Sequence, residues 1–246
     1  MKIIAIAGRM GTGKDTVAEI LGRKGYVRVA LADQVKRLAR SIFDFSTDSL
    51  FGPSALRNEP VRLTHTQWCE VFYRAGSARE DIQDTIRAGL SSAEAEDGGL
   101  YDDEIESAVV EYLRTCRLHD LVHDNFSVRV ALQLLGTELG RKLRDDVWIA
   151  NLREKIEDVT SYSVAHMGAN LPGVIITDCR FPNEAAAFKS WGGEVYWIDA
   201  SKRLVIPPSM HASEPDRHQF EGLLTGVIDN NGTLEDLEKE LDRVTG

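Results

Sequence analysis

Three residues near the start of the chain have the spacing of a loop that binds nucleotide phosphates. Gly8, Gly13 and Lys14 follow the pattern G-x-x-x-x-G-K. In such a loop, backbone N–H groups converge on an anion, and the positive end of the following helix dipole adds to the attraction. The lysine would reach the β- and γ-phosphates. The residues predicted to bind the donor phosphates are Gly8, Gly11, Thr12, Gly13, Lys14, Asp15 and Thr16.

Position 15 departs from the usual pattern, because Asp15 stands where a Ser or Thr normally binds Mg²⁺. Two interpretations are open. Asp15 is an acidic residue of the first helical turn, favoured there by the helix dipole. Alternatively, its carboxylate is a hard oxygen ligand that holds Mg²⁺ directly or through water. The second interpretation predicts a strict Mg²⁺ requirement, because a carboxylate beside a triphosphate is repelled unless a cation lies between them.

Two further groups of polar residues follow predicted strands, at the sheet edge where open α/β sheets bind ligands. Asp33 and Lys36 come after the second strand; Asp33 also suits a helix N-cap, and Lys36 an exposed helix position. Asp178 and Arg180 come after a later strand. A carboxylate there would serve a metal ion or an acceptor, and the guanidinium would neutralise phosphate charge. The competing interpretation is a turn and a helix start, a role that Pro182 and Asn183 suit well.

Residues 127–148 are predicted to form one amphipathic helix. The polar residues on the face opposite the leucines, at about 100° per residue, are Gln133, Thr137, Arg141 and Arg144. Gly136 and Gly140 lie along the boundary, where each costs up to about 1 kcal/mol of helix stability relative to Ala. They indicate close approach by another backbone or a ligand. The polar face suits a phosphate and a base edge, unless it is simply solvated.

Short apolar strands alternate with helices along the chain, which is typical of a parallel α/β sheet. The predicted strands are residues 2–7, 26–31, 173–178, 194–199 and 226–229. Helices are predicted from Lys14, from Asp33, over residues 183–191 and after the cap Thr233. The apolar stripe of the last helix, which is expected to face the core, is predicted to be Leu234, Leu237, Leu241 and Val244. Helical patterns dominate residues 45–172, so we expect a single domain, 1–246, with a mainly helical insertion.

Composition narrows the class of protein. The 246 residues include 39 Asp and Glu against 29 Lys and Arg, a net charge of −10, which argues against binding polymeric nucleic acid or anionic membranes. Cys69, Cys116 and Cys179 lack C-x-x-C spacing, so a reducing cytoplasm is expected rather than disulfides or zinc. No apolar run approaches membrane-spanning length. The acidic stretch 93–111 is interpreted as a solvated helical insertion.

Taken together, the motifs resemble those of the bacteriophage-type deoxynucleoside monophosphate kinases, members of the P-loop kinase superfamily. The segments that carry the resemblance are "GTGKDT" (11–16), "LADQVKRLA" (31–39), "FGPSALRNEP" (51–60), "LQLLGTELGRKLRDDVW" (132–148), "DCRFPNEA" (178–185) and "HASE" (211–214). The family commonly has G-K-D-T where other P-loop proteins have G-K-[ST]. This chain departs from the family's aromatic-Ala-Asp-Pro-Leu-Lys segment at Leu31, Gln34 and Val35, but keeps Asp33 and Lys36.

The resemblance implies a P-loop NTPase fold, a five-stranded parallel sheet flanked by helices with a helical substrate-binding or lid insertion. It implies transfer of the γ-phosphoryl of ATP to a deoxynucleoside 5′-monophosphate, with Mg²⁺ held at Asp15. The implied catalytic residues are Lys14, Arg141, Asp178 and Arg180. The implied acceptor contacts are Arg9, Asp33, Lys36, Arg57, Gln133, Gly136, Thr137, Trp148, Asp178, Arg180 and Glu184. Such chemistry is mainly positioning and electrostatics, so no deprotonating base is compulsory.

Two alternatives stay open at this point. One is another small-molecule P-loop kinase, such as a dephospho-coenzyme A kinase or a guanylate-type kinase. The other is a nucleotide-dependent switch, although the chain has no N-K-x-D motif. A small nucleotide is the expected partner, a homodimer is left open, and the expected location is the cytoplasm, of the host if the protein is phage-encoded. The sequence does not decide the accepted bases, the role of residues 77–125, or the roles of His211, Ser213 and Glu214.

Overall fold

The computed structural model describes residues 1–53, 55–77, 126–143, 145–167, 171–204 and 216–246. Two compact units are found, residues 1–31 with 152–246 and residues 32–151, and each is described by itself. The predicted insertion, 45–172, overlaps the second unit, and the single-domain organisation stays a prediction. The acidic stretch 93–111, most of residues 77–125, and His211, Ser213 and Glu214 lie outside the described residues.

The first unit contains a sheet of five parallel strands in the order β2-β3-β1-β4-β5. The strands are β1 Lys2–Ala7, β2 Val27–Val29, β3 Gly173–Cys179, β4 Glu194–Asp199 and β5 Gly226–Asp229. Because all strands are parallel, their carboxyl ends lie along one edge. The predicted α/β class with a five-stranded parallel sheet is confirmed. Strand β2 is shorter than the predicted range 26–31.

Helices cover the sheet of the first unit and complete its core. They are α1 Lys14–Arg23, α8 Pro182–Ser190 and α9 Leu234–Thr245, with most of α7 Val147–Met167. Residues 4–7 of β1 are wholly buried, which explains why its sequence is a continuous apolar run. Ile4 and Ile6 belong to one buried cluster with residues of α1 and α9.

The predicted stripe of α9 is wrong at one position. Leu237, Leu241 and Val244 are buried, but Leu234 is 51% exposed. Leu234 is the first residue of the helix, directly after its cap. The cap itself is as predicted, since Thr233 Oγ1 accepts a hydrogen bond from the N–H of Asp236.

The second unit is mainly helical among its described residues. Its elements are α2 Ala32–Phe43, α3 Thr47–Phe51, a 3₁₀ turn Leu56–Asn58, α4 His65–Ser77, α5 Val128–Gln133, a π-helical segment Leu134–Leu139, and α6 Gly140–Leu143. Phe43, Phe45, Trp68 and Phe126 form a buried aromatic cluster in this unit. None of the described helices in either unit is long and apolar enough to cross a membrane.

The single helix predicted over residues 127–148 is wrong. The π-helical segment Leu134–Leu139 separates α5 from α6, and a new helix, α7, begins at Val147. A π turn closes its hydrogen bonds five residues apart and so contains an extra residue. The periodicity used for the prediction therefore does not hold across the segment. Trp148 belongs to the helix that follows.

Candidate active site

A glycine-rich loop lies at the carboxyl end of the central strand β1 and leads directly into α1, which begins at Lys14. Its glycines have positive φ angles, 154° at Gly8, 79° at Gly11 and 96° at Gly13. Within the loop, Thr12 Oγ1 donates a 2.8 Å hydrogen bond to the carbonyl oxygen of Arg9. Strand, glycine turn and helix thus occur in the order that a phosphate-binding motif requires.

The ammonium group of Lys14 lies against the backbone of this loop. Its Nζ donates to the carbonyl oxygens of Gly8 and Arg9, each at 2.6 Å. A carbonyl oxygen is a weaker partner for an ammonium group than an anionic oxygen, because a hydrogen bond between two charged groups is stronger. The positive charge is therefore held at the loop where an anion is expected.

The residue Gly13 is required by a close approach as well as by its backbone conformation. A Cβ at this position would lie 2.4 Å from Nδ2 of Asn230. Asn230 directly follows β5, is 5% exposed, and donates from Nδ2 to the carbonyl oxygen of Thr12 at 2.7 Å. Asn230 is not among the residues predicted from the sequence to contact the loop or a ligand. The only feature that points to it is its position, as the polar residue directly after the last strand.

Two other residues of the loop region differ in environment. Asp15 is exposed in the first turn of α1. The Nε atom of Arg9 is buried and has no hydrogen-bond partner among the described residues. Groups of three or more His, Cys, Asp or Glu side chains that could hold a metal ion are absent from the described part of the chain. Asp15 is thus not part of a preformed all-protein metal cage there.

The carboxylate of Asp178 is positioned by strand β3, next to the central strand. The β1–β3 register has an irregularity here, since Ala5 pairs with Ile176 but Ala7 pairs with Cys179. Oδ1 of Asp178 accepts a 3.0 Å hydrogen bond from the N–H of Leu31, just beyond β2. The neighbouring Arg180 side chain is exposed. Asp178, near the end of β3, and Arg180, just after it, lie at the sheet edge that also carries the glycine-rich loop.

Glu184 has a structural role in the first turn of α8. Its side chain is 3% exposed, and Oε2 accepts hydrogen bonds from the N–H groups of Arg180 at 2.6 Å and Phe181 at 3.0 Å. Those N–H groups precede or begin the helix and have no intrahelical acceptor. The carboxylate therefore orders the segment that carries Arg180, and its predicted acceptor contact stays a prediction.

In the second unit, Asp33 and Lys36 lie one turn apart on α2. The helix begins at Ala32, so Asp33 lies inside the first turn rather than before the helix. Lys36 Nζ is 3.9 Å from Asp33 Oδ1 and 4.8 Å from the ring centre of Phe51, which is 44% exposed. Phe51 is not among the residues predicted from the sequence to bind a ligand. Its exposure becomes visible only in the structure.

Arg57 also lies in the second unit, in the 3₁₀ turn Leu56–Asn58. Its Nη1 donates to the carbonyl oxygens of Leu50 at 3.0 Å and Gly52 at 3.1 Å. The guanidinium thus ties the turn to the end of α3.

The predicted polar face of 127–148 is distributed over three elements. Gln133 ends α5, Thr137 lies in the π-helical segment, and Arg141 lies in α6; all three are partly exposed. Arg144 lies outside the described residues. Trp148 is 6% exposed, and its Nε1–H donates to the carbonyl oxygen of Gly136 at 2.7 Å. The neighbour of Gly140 is this indole ring rather than the backbone or ligand expected from the sequence.

Comparison with known proteins supplies the class of enzyme. A family model described as deoxynucleotide monophosphate kinase matches residues 2–241, nearly the whole chain. No curated protein matches the sequence. A solved structure, described as the crystal structure of TT1252 from Thermus thermophilus, is 17% identical, with 99% of this chain and 95% of that chain covered and a TM-score of 0.38. Nothing is transferred from that protein at so low a score.

The family match agrees with the resemblance noted from the motifs, and residues 2–241 include the glycine-rich loop, the helix that carries Asp33 and Lys36, and the strand that carries Asp178. The chain therefore belongs to the deoxynucleotide monophosphate kinase family and is an enzyme that transfers a phosphoryl group to a deoxynucleoside monophosphate.

Proposed function

We propose that ATP is the phosphoryl donor and that residues 8–16 bind its phosphates. The observation that carries this proposal is the contact of Lys14 Nζ with the carbonyl oxygens of Gly8 and Arg9. It holds a positive charge beside a turn of positive-φ glycines that opens α1. The dipole and the first-turn N–H groups of α1 favour an anion at the same place.

We further propose that Mg²⁺ accompanies ATP and that Asp15 is its protein ligand. The residues present fit this ion, because magnesium is usually bound through one or two carboxylates together with substrate phosphates and water. Asp15 supplies one exposed carboxylate in the first turn after the loop. When bound, the ion would neutralise charge on the donor phosphates.

The acceptor is proposed to be recognised by two kinds of side chain. The cationic groups proposed to hold its phosphate are Arg9, Lys36, Arg57, Arg141 and Arg180. The groups proposed for its nucleoside are Gln133, Gly136, Thr137 and Trp148. The carboxylates proposed to orient the acceptor or the metal are Asp33, Asp178 and Glu184. The buried Nε of Arg9 supports the proposal that Arg9 binds the acceptor phosphate. A buried donor without a hydrogen-bond partner is costly, and a phosphate oxygen would supply that partner.

The proposed reaction needs little covalent chemistry from the protein. An oxygen of the acceptor phosphate attacks the γ-phosphorus of ATP, the bond from that phosphorus to the bridging oxygen breaks, and ADP leaves. The products are ADP and a deoxynucleoside diphosphate. Lys14 neutralises charge on the transferred group, while the arginines hold the attacking phosphate in place. The acceptor phosphate is already ionised at neutral pH, so no side chain has to remove a proton.

The test compares Lys14→Ala with Lys239→Ala, a surface lysine paired with Asp236 in α9. ADP release is measured with ATP and a panel of deoxynucleoside monophosphates, ribonucleoside monophosphates and dephospho-coenzyme A. We expect Lys14→Ala to lower kcat/KM by at least about 100-fold, because one lost charge-stabilising donor has that effect. Lys239→Ala should behave as the unaltered protein. Full activity of Lys14→Ala would refute the proposed donor site.

Three finer expectations are also proposals. They are the cytoplasmic location, the homodimer that the sequence leaves open, and origin in a bacteriophage. Sedimentation of the purified protein with and without ATP measures the second of these directly. A monomer under both conditions would contradict the homodimer.

A further inference from the structure

We infer that Asn230 is a positioning residue for the phosphate-binding loop, acting through the peptide group between Thr12 and Gly13. The inference rests on the proposed binding of ATP by residues 8–16. Asn230 lies 218 positions along the chain from Thr12, and its amide is buried against the loop. Burying an amide costs free energy unless it is hydrogen-bonded. The bond from Asn230 Nδ2 to the carbonyl oxygen of Thr12 offsets that cost, so loss of the bond would be unfavourable.

The amide of Asn230 is itself anchored to the sheet. The residue directly follows β5, and its backbone N–H donates to the carbonyl oxygen of Asp199, the last residue of β4, at 2.7 Å. Its side-chain Nδ2 then donates to the carbonyl oxygen of Thr12 at 2.7 Å. Asn230 therefore connects the loop to the ends of β4 and β5, in addition to the hydrogen bonds that the loop makes within itself.

This bond determines the orientation of one backbone N–H group. A peptide unit is planar, and in its trans form the C=O and the N–H point in opposite directions; no cis peptide occurs among the described residues. Because Asn230 holds the carbonyl oxygen of Thr12, the N–H of Gly13 must point away from Asn230. Gly13 is the glycine just before Lys14, and its N–H is one of the donors that such loops direct at phosphate.

The contact is too close to be incidental. Gly13 has a φ of 96°, and a Cβ there would lie 2.4 Å from Asn230 Nδ2. Only glycine lets the loop backbone rest on the amide in this way. The Asn230 amide can lie this close to the loop because residue 13 has no Cβ.

The adjacent asparagine offers a matched comparison. Asn231 Nδ2 donates to Asp229 Oδ1 at 2.6 Å and to the carbonyl oxygen of Asp199 at 3.3 Å, and Oδ1 accepts from the N–H of Lys202. These bonds stabilise the connections after β4 and β5. None of them reaches residues 8–16, so Asn231 shares the location and the amide chemistry but not the bond to the loop.

The experiment compares Asn230→Asp, Asn230→Ala and Asn231→Ala in the full-length enzyme. Asn230→Asp keeps the size of the side chain, but a carboxylate cannot donate to Thr12 and adds charge beside the loop. We expect kcat/KM for ATP to fall about 100-fold in this variant, the loss that a small misplacement of a binding group causes. The KM for the deoxynucleoside monophosphate should stay within about twofold, since uniform acceptor binding is not altered.

Asn230→Ala should show a loss of kcat/KM for ATP intermediate between those of Asn230→Asp and the unaltered enzyme, because it removes the donor without adding charge. Asn231→Ala should keep ATP kinetics within about threefold, as expected for a residue outside the site. Thermal melting of each variant reports folding independently of activity. Unchanged ATP kinetics in a folded Asn230→Asp variant would overturn the inference, and so would an equal loss in Asn231→Ala.

Two results separate this inference from the proposed function. If Lys14→Ala is inactive while Asn230→Asp keeps its ATP kinetics, ATP binding by residues 8–16 is supported and the positioning role of Asn230 is wrong. If Lys14→Ala is fully active, the proposed donor site itself is wrong. Failure of both Asn230 variants to fold, when Asn231→Ala folds, would overturn the positioning role in favour of a purely structural one.

Discussion

The indole Nε1–H of Trp148 donates a 2.7 Å hydrogen bond to the carbonyl oxygen of Gly136, inside the π-helical segment Leu134–Leu139. The same ring covers Gly140, where a Cβ would lie 2.3 Å from Cζ2 of Trp148. One buried side chain from α7 thus contacts both glycines of the preceding segment. The segment carries Thr137, and α5 and α6 beside it carry Gln133 and Arg141. Trp148 therefore supports the backbone on which these proposed acceptor contacts stand.

The close approach at Gly140 predicts a loss of stability for Gly140→Ala. The added methyl group would overlap the Trp148 ring, and overpacking of this kind costs about 1–3 kcal/mol of unfolding free energy. Urea denaturation measures the loss. Gly22→Ala is the matched control, because Gly22 lies in helix α1 with no atom within 4 Å of the added Cβ. That control should be neutral or stabilising by up to about 1 kcal/mol. Equal stability of the two variants would contradict the packing described.

The proposed role of Asp15 predicts a change in the magnesium requirement of Asp15→Asn. Loss of the carboxylate charge should lower kcat and raise the Mg²⁺ concentration for half-maximal activity by roughly tenfold or more. Magnesium titrations at saturating ATP make the measurement. Glu19→Gln, an exposed acid one turn later in α1, serves as the control and should leave the titration unchanged. If Asp15→Asn titrates like the unaltered enzyme, Asp15 is only a residue of the first helical turn.

The buried cap at Glu184 predicts a stability effect that depends on its oxygens. Glu184→Ala leaves the N–H groups of Arg180 and Phe181 without this acceptor, which should cost about 1–3 kcal/mol of unfolding free energy. Glu184→Gln keeps one acceptor oxygen and should lose less. The exposed Glu221 is a suitable control, since Glu221→Ala removes only a surface pair with His218. An Ala variant at 184 as stable as the Gln variant would argue against the cap.

The two described cysteines should differ in reactivity. Burial, with Glu184 and Asp178 adding to it, raises the pKa of the Cys179 thiol well above its usual value, whereas Cys69 is exposed. A raised pKa means less of the reactive thiolate at any given pH. In a Cys116→Ser background, a disulfide reagent at pH 8 should label Cys69 rapidly and Cys179 only after denaturation. Rapid labelling of both thiols in the folded protein would contradict the burial of Cys179.

Much of the fold could be predicted because its determinants are local. Residues 4–7 of β1 and most residues of β3 are buried, so their apolar composition alone indicates strands. Helix α1 begins at Lys14 as predicted. Its signals, a glycine just before the helix and apolar residues at helical spacing after it, lie close together in the sequence. The helix predicted over residues 127–148 is interrupted by the π-helical segment Leu134–Leu139, whose extra residue is not indicated by the regular spacing used for the prediction.

The sequence by itself determined the parallel α/β class, the glycine-rich loop with its lysine, and the family, because each depends on spacing within short stretches of chain. Only the tertiary structure decided the strand order, the burial of Trp148 and Glu184, and the bond from Asn230 to Thr12. These are contacts between residues that are distant in the chain or on different elements. Their formation depends on how the elements pack, and no local pattern of residue types records that packing.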